Sequence, residues 1–200
     1  MNQILFILIY IIAILSLLYA LWMMIPVFYG LPWVPTAKDR VRKALKMAEL
    51  CPDELLYDLG AGDGRILFMA EEEFGARAVG IEASFLQYLF IKARIFFGGK
   101  QAKIHARREN FYRSDIRDAD VVFAYLTSEQ AIHLQDNLAK QLKLGARVIA
   151  VSADFPDWKP IAFDEGYLLF LYEMPPQKGG MMAYFAERDK DVDLPYLDIS

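Results

Sequence analysis

The chain has 200 residues, enough for one domain with a full hydrophobic core and an appendage, and its formal net charge is -4. This acidic balance argues against a nucleic-acid-binding surface, which is usually strongly basic. The single cysteine, Cys51, excludes an internal disulfide, and the two histidines offer no metal-ligand cluster with usable spacing, so no metal site is expected.

The N-terminal segment is an uncharged apolar run over residues 4–25, interrupted by the polar side chain of Ser16. At about 1.5 Å per residue a helix of this length spans roughly 33 Å, enough for a hydrocarbon core of about 30 Å. A cleaved signal peptide would instead need a basic start and an apolar stretch of about 7–15 residues. We therefore expect residues 1–30 to be a single-pass transmembrane anchor that contacts the lipid bilayer through residues 4–25.

Several cations follow this run, whereas only the terminal amine precedes it. Because positively charged flanks stay on the cytoplasmic side, we expect the rest of the chain to lie there. The same cations also fit a solvated helix face or contact with anionic headgroups, and both alternatives stay open. They are Lys38, Arg40, Arg42, Lys43 and Lys46.

Residues 31–50 are predicted to form a rigid connector followed by a leading helix. Pro32 and Pro35 restrict their own backbone and that of the residues before them. Thr36 is a suitable N-cap for a helix that runs to about Leu50.

The stretch from Tyr57 to Ile66 reads Y-D-L-G-A-G-D-G-R-I, and the rest of the domain is organised around it. It joins a predicted strand to a predicted helix through a glycine turn. Unpaired N–H groups at such a helix start suit an anionic or polar ligand. The glycines do not follow the G-x-G-x-x-G pattern of dinucleotide-binding proteins, whose third glycine would fall on Arg65. The candidate ligand-binding residues here are Asp58, Gly60, Ala61, Gly62, Asp63 and Gly64.

An acid ends the next predicted strand, residues 77–81. This acid is Glu82, 18 residues after Gly64, and a carboxylate at this position can accept hydrogen bonds from two ribose hydroxyls. A solvated surface glutamate would not explain why it terminates an apolar strand. The D-x-G-x-G-x-G form that begins at Asp58 resembles motif I of class I S-adenosylmethionine-dependent methyltransferases. The two features together favour S-adenosylmethionine over NAD as the cofactor.

The remaining pattern alternates strands and helices, which predicts an α/β fold with a Rossmann-like, seven-stranded methyltransferase sheet. The last two predicted strands flank a proline–glycine turn and are expected to form a hairpin that closes the sheet. The methyltransferase domain is assigned to residues 51–186, and the acidic residues 187–200 are expected to form a loose tail. The predicted strands are 55–59, 77–81, 103–107, 121–125, 146–152, 167–173 and 181–186, and the predicted helices are 64–74, 84–97 and 128–142.

The helix predicted over residues 84–97 is apolar on nearly all sides. Packing against the sheet and its neighbours is one interpretation of this pattern. Contact with a membrane surface or with the anchor helix is the other, and the sequence leaves both open.

Ligands of open α/β sheets bind at the carboxyl ends of the strands, so residues that follow the other strands are further candidates. Asn110 follows the third strand, where related enzymes commonly place an acid against the adenine amino group, and Asp115 is the neighbouring alternative. Tyr125 ends the fourth strand, and Asp154 follows the fifth. No Asn/Asp-Pro-Pro-aromatic run and no Pro-Cys pair are present, which disfavours planar-amide, adenine and cytosine substrates.

Three separated segments make the chain similar to the membrane-anchored protein lysine methyltransferases of the family that acts on the c-ring protein of ATP synthase. Residues 32–36 resemble the family's Pro-aromatic-Val-Pro segment, and residues 57–66 resemble its form of motif I. Residues 146–158 resemble its segment after strand five, and the similarity covers about residues 30–173. Asn110 departs from the family pattern, because an acid is expected there.

The resemblance implies in-line transfer of a sulfonium methyl group to a lysine nitrogen of a protein. A free lysine amine has a pKa of about 10.4, and an apolar, partly buried mouth would disfavour its charged form. Trp33, Tyr125, Phe155 and Trp158 are the candidates for this mouth, and Asp154 is the candidate for orienting the amine. Tyr125 is also a cofactor-binding candidate. Aromatic residues at such positions are often core residues, and that alternative stays open for each.

Three functions are compatible with these features. A protein lysine N-methyltransferase whose anchor keeps it near membrane-bound protein substrates is favoured. A lipid or small-molecule methyltransferase is the second, and a non-catalytic S-adenosylmethionine-binding module is the third. The intact set of Asp58, Gly60, Gly62 and Glu82 argues against the third.

Overall fold

The computed structural model describes residues 2–28 and 36–191 of the chain. The chain divides into two compact units, Met1–Thr36 and Ala37–Ser200. The proline connector, including Trp33, and the last nine residues lie outside the described residues.

The first unit contains one long helix, α1 (Asn2–Phe28). Within it, Gln3–Leu21 is long and apolar enough to cross a membrane, with a mean hydropathy of 2.9. None of this segment is buried within the chain, which does not fit the core helix of a soluble protein. A membrane anchor and a signal sequence both fit these properties.

The second unit is a seven-stranded sheet with helices on both faces. Its helices are α2 (Lys38–Met47), α3 (Arg65–Phe74), α4 (Phe85–Phe97), α5 (Ser128–Gln141) and α6 (Gly180–Asp191). Its strands are β1 (Leu55–Leu59), β2 (Arg77–Ile81), β3 (Ile104–Arg107), β4 (Val121–Tyr125), β5 (Arg147–Val151), β6 (Trp158–Lys159), β7 (Ala162–Asp164), β8 (Leu169–Glu173) and β9 (Gln177–Lys178). The sheet order is β3-β2-β1-β4-β5-β8-β7, and β6 and β9 form a separate pair.

The sheet is parallel from β3 to β5, and β8 runs antiparallel to both β5 and β7. Because successive residues of a strand point to opposite faces, Leu56 and Tyr57 of β1 belong to two different cores. Leu67 of α3 and Ile91 of α4 lie in the core with Leu56, whereas Leu134 of α5 lies in the core with Tyr57. Burial on both faces explains why these strands read as continuous apolar runs.

Most predicted elements are present within two residues of their predicted bounds, but the last strand is wrong. Residues 181–186 lie in the helix α6, and the expected edge position is taken by the short strand β7, which pairs with β8. Met181, Tyr184 and Phe185 lie at helical spacing and are partly buried. The rings of Tyr184 and Phe185 lie 6.4 and 6.2 Å from the ring of Phe163 in β7, so this contact favours a helix over a hairpin.

Two predicted boundaries also need correction. The leading helix begins at Lys38, with Ala37 rather than Thr36 as its N-cap, and it ends at Met47 instead of about Leu50. It stops there because Glu49 adopts a φ of 50°, which no right-handed helix contains. The loose tail expected from residue 187 is wrong for residues 187–191, which complete α6.

The close packing of α3 on β2 gives a testable prediction at Gly80. A Cβ atom added there would lie 2.7 Å from Leu67 Cδ1 and 2.8 Å from Ala61 Cβ. Since Ala61 cannot move without its backbone, we expect Gly80→Ala to lower the free energy of unfolding by about 1–3 kcal/mol. Thermal unfolding of the full chain in detergent, followed by circular dichroism, measures this effect.

Gly166→Ala is the matched control, because the nearest atom to its added Cβ is Asp164 Oδ1 at 3.6 Å. If both variants unfold at the same temperature as the parent chain, the proposed tight contact between α3 and β2 is wrong.

Candidate active site

The turn between β1 and α3 is held against the end of β2 by the main chain. The N–H groups of Gly60 and Ala61 both donate to the carbonyl of Ile81, at 2.9 and 3.0 Å. Gly60, Gly62 and Gly64 have φ values of 97°, 55° and 78°, in the region that favours glycine. A Cβ atom on Gly60 would meet nothing within 4 Å, so the backbone faces open space and a ligand can approach it closely.

Asp63 holds the start of α3. Its carboxylate accepts a hydrogen bond from the Arg65 N–H at 3.1 Å and forms a 2.7 Å ion pair with the Arg65 guanidinium. Arg94 of α4 also donates to the Asp63 carbonyl. Burial alone would raise the pKa of the Asp63 carboxyl, but the hydrogen bonds and charge of Arg65 bring it below its ordinary value. This arrangement favours a role in positioning the turn, and direct contact of Asp63 with the cofactor stays a prediction.

Glu82 follows β2 directly, and only 7% of its surface is exposed. Its Oε2 accepts the N–H of Gly62 and its Oε1 accepts the N–H of Ser84, both at 2.8 Å. Burial raises the pKa of the Glu82 carboxyl, and these backbone donors partly oppose the shift. Each carboxylate oxygen can accept a second hydrogen bond, so Glu82 can tie the turn and still accept ribose hydroxyls.

Asp58, on β1, is the least satisfied polar group of the site. It is 2% exposed, and its Oδ2 has no hydrogen-bond partner among the described residues. Burial, with the nearby charges of Glu82 and Asp63, raises the pKa of the Asp58 carboxyl well above its ordinary value. A buried acceptor without a partner costs free energy, and a cationic or N–H-donating ligand would remove that cost.

These features fit S-adenosylmethionine, which carries ribose hydroxyls, an ammonium group and a sulfonium charge. The open glycine turn leaves space beside the backbone, Glu82 can accept from the ribose, and Asp58 offers an unpaired acid. The sequence predicted the residues, and the structure brings them together at the ends of β1 and β2.

The two adenine-contact candidates after β3 differ in their surroundings. Asn110 is exposed, and its Oδ1 accepts the N–H of Tyr112 at 3.0 Å. Asp115 is also exposed and forms a 2.7 Å ion pair with Arg117, whose hydrogen bonds lower the pKa of the Asp115 carboxyl to about 2. The Asn110 amide nitrogen donates to no described residue and is free to bind a ligand, and the adenine contact stays a prediction.

An arginine that the sequence did not single out joins the ends of β4 and β5. Arg40 of α2 donates from Nη2 to Ser152 Oγ at 2.9 Å and from Nε to the Tyr167 carbonyl at 2.7 Å. Its guanidinium carbon lies 5.3 Å from the centre of the Tyr125 ring. Ser152 has a φ of 72°, a strained conformation for a residue other than glycine. The sequence pattern shows Arg40 only as one of the cations after the apolar run, because no local signal indicates a partner 112 residues away.

The aromatic candidates after β5 are buried. Phe155 and Trp158 lie with their ring centres 4.6 Å apart, and both pack against the ring of Tyr172. The Phe155 N–H donates to the Tyr172 hydroxyl at 3.0 Å. This packing favours the core alternative for Phe155 and Trp158, whereas Asp154 is half-buried. Trp33 lies outside the described residues, so its predicted place in the mouth is untested.

Residues 58–162 match the family described as the ANTKMT methyltransferase domain. The chain is 32% identical over 154 residues to a protein named "Protein-lysine N-methyltransferase" from Saccharolobus islandicus (strain REY15A), covering 74% of this chain and 96% of that protein. It is 28% identical over 139 residues to the Mus musculus protein named "Adenine nucleotide translocase lysine N-methyltransferase". That match covers 69% of this chain and 60% of the mouse protein, so the chain spans little more than half of that protein's length.

Among solved structures, the chain is similar to an RNA methyltransferase from Salinibacter ruber in complex with S-adenosyl-L-homocysteine. The TM-score is 0.68 and the sequence identity 31%, over 73% of this chain and 97% of that one. S-adenosylhomocysteine is the form of S-adenosylmethionine that has lost its methyl group. The comparison agrees with the cofactor that the glycine turn, Asp58 and Glu82 indicate.

The unpaired carboxyl of Asp58 gives a prediction with opposite effects on stability and binding. The Asp58 pKa is raised in the folded chain, so its ionised form disfavours folding at neutral pH. We expect Asp58→Asn to stabilise the ligand-free chain by about 1–2 kcal/mol at neutral pH. The gain should disappear below the ordinary carboxyl range, because Asp58 is then protonated in both the folded and unfolded states. Thermal unfolding measured against pH tests this expectation.

The same substitution should weaken S-adenosylmethionine binding by about tenfold, because an amide lacks the charge that pairs with a cationic ligand. Calorimetric titration of the full chain in detergent measures the affinity. Asp136→Asn, at an exposed position of α5, is the control and should change neither quantity. Unchanged affinity in Asp58→Asn would remove Asp58 from the cofactor site.

Proposed function

Because this chain belongs to the ANTKMT methyltransferase domain family and is an S-adenosylmethionine-dependent methyltransferase, we propose that it is a protein lysine N-methyltransferase. The observation that carries the choice of lysine is the 32% identity to the Saccharolobus islandicus protein-lysine N-methyltransferase, which extends over 96% of that protein. The predictions of a class I methyltransferase and of its cofactor are confirmed. The identity of the methyl acceptor, a lysine of a protein, is what we propose.

The glycine turn with Asp58 and Glu82 would hold the cofactor, and Asn110 would meet its adenine. When bound, S-adenosylmethionine supplies an electrophilic methyl group, whose carbon bonds to the acceptor nitrogen as its bond to sulfur breaks and one proton leaves the nitrogen. The chain's own contribution is to hold the acceptor in line and to keep its amine neutral.

The residues at the ends of β4 and β5 can keep the acceptor amine neutral. Tyr125 and Asp154 are half-buried there, and a partly desolvated mouth disfavours a charged lysine. The Arg40 guanidinium beside Tyr125 adds a fixed positive charge, which further lowers the pKa of an incoming lysine amine. Asp154 would then orient the amine by accepting its hydrogen bond.

We also propose that α1 anchors the chain in a membrane with the methyltransferase domain on the cytoplasmic side. Its uncharged, unburied segment Gln3–Leu21 supports the anchor, and the cations that follow support the orientation. The anchor would bring the domain close to protein substrates in or on that membrane. RNA is the second candidate acceptor, because the Salinibacter ruber neighbour is titled an RNA methyltransferase.

The acceptor is tested by incubating the full chain with methyl-labelled S-adenosylmethionine and a membrane fraction, then separating protein, lipid and RNA. We expect label in protein, released as methyl-lysine on acid hydrolysis, and none with the Glu82→Ala chain. Label confined to the organic extract would identify a lipid methyltransferase instead, and label confined to RNA would favour the second candidate.

The contacts of Arg40 with Tyr125 and Ser152 give a prediction for the rate of methyl transfer. We expect Arg40→Ala to lower kcat by about tenfold or more, because Tyr125 and Ser152 lose the group that joins them. The pH–rate profile should move to higher pH, because loss of a nearby cation raises the pKa of the bound lysine amine. S-adenosylmethionine affinity should stay unchanged.

Arg42→Ala is the matched control on the same helix, where Arg42 pairs with Asp39 and Glu73 on the surface. If the role of Arg40 is purely structural, Arg40→Ala will lower activity without moving the pH–rate profile. That result would remove Arg40 from the control of the amine.

A further inference from the structure

The outward face of α4 is apolar, which reverses the usual pattern of a surface helix. Outside α1, twelve large apolar side chains of the described residues are exposed, and half of them lie on this one helix. They recur at helical spacing and therefore form one continuous face, which we call the α4 face. Its members are Phe85, Leu86, Leu89, Phe90, Phe96 and Phe97.

The opposite side of α4 is fully engaged, so the helix cannot turn this face inward. Ile91 and Ile95 are buried in the core shared with α3. Arg94 donates to the Asp63 carbonyl, and its guanidinium carbon lies 4.2 Å from the centre of the Phe68 ring. The α4 face is therefore additional to the folding core, and it ends at Phe97, 85% of whose surface is exposed.

The chain segment that carries the α4 face is positively charged, although the whole chain has a net charge of -4. Residues 83–108 contain six Lys or Arg residues and no Asp or Glu. Four of the six are held by partners in the fold, through Glu71 or main-chain carbonyls. Lys92 and Arg108 have no acidic partner in the described part of the chain, and the Arg108 guanidinium lies 5.1 Å from the Phe85 ring.

We propose that the α4 face inserts into the interfacial layer of an anionic phospholipid bilayer. Phenylalanine and leucine on one face with cations beside them are the pattern of a helix that lies in a membrane surface. Lys92 and Arg108 would contact anionic headgroups, each contributing to binding through the surface potential. Two exposed cations are too few for a nucleic-acid surface.

This contact has a direct consequence for the active site. α4 begins three residues after Glu82, and the Ser84 N–H at its start donates to the Glu82 carboxylate. Insertion of the α4 face would therefore place the cofactor end of the sheet next to the bilayer. The inference concerns the orientation of the domain, and it does not depend on whether the acceptor is a lysine.

Fluorescence quenching in the full chain tests the proposal. Cys51, the single cysteine, is replaced by serine, and a bimane probe is placed on one new cysteine, through Phe97→Cys, Leu144→Cys or Ser16→Cys. Leu144 is the matched control, because it is 82% exposed but lies in the loop between α5 and β5, whose Leu142 and Ala146 belong to the other core. The chains are reconstituted into phosphatidylcholine–phosphatidylglycerol vesicles that contain doxyl-labelled lipid.

We expect the doxyl lipid to quench the probe at position 97 several-fold more strongly than the probe at position 144. Adding Lys92→Glu and Arg108→Glu should reduce quenching at position 97, and the reduction should be smaller in phosphatidylcholine alone. Quenching at position 16 without quenching at position 97 would overturn the proposal and leave the anchor intact. Protection of position 97 from aqueous iodide without lipid quenching would also overturn it, because the α4 face would then contact protein.

Discussion

Two buried carboxylates at the ends of β1 and β2, whose charges affect each other, are the constraint on which the rest of the site depends. Glu82 is satisfied by the main chain, because the N–H groups of Gly62 and Ser84 donate to it and so hold the glycine turn in place. Asp58 has no such partner for its Oδ2 among the described residues, and both carboxyls have raised pKa values. The ligand-free chain therefore carries a cost that a bound cationic cofactor would remove, which would link stability and binding at Asp58.

The other side of the site is built by a different kind of contact. The ends of β4 and β5 carry Tyr125 and Ser152, and Arg40 joins them from α2. The fixed cation suits a reaction in which a lysine amine must arrive without its proton. In the proposed site, Asp58 and Glu82 would surround the cofactor, whereas the acceptor amine would meet both the Arg40 cation and the Asp154 carboxylate.

Two apolar surfaces of the chain fit contact with a membrane. The chain has an apolar helix that is unburied over Gln3–Leu21 and, separately, an apolar face on α4 beside the cofactor site. A bilayer would satisfy both, and it would restrict the acceptors to those the domain can reach from the membrane surface.

The sequence by itself determined the parallel strands, the glycine turn and the acid after β2, because each is encoded by apolar runs and glycines within a few residues. It predicted Asp58 and Glu82 as site residues. It did not predict that main-chain N–H groups would donate to Glu82 while Asp58 Oδ2 would have no hydrogen-bond partner among the described residues. Only the tertiary structure decided that residues 181–186 form a helix, since the Phe163 ring covered by Tyr184 and Phe185 comes from a strand too short to predict. It also decided that Phe155 is core and that Arg40 contacts Tyr125 and Ser152 at the ends of β4 and β5. Both depend on partners distant in the chain, which no local pattern records.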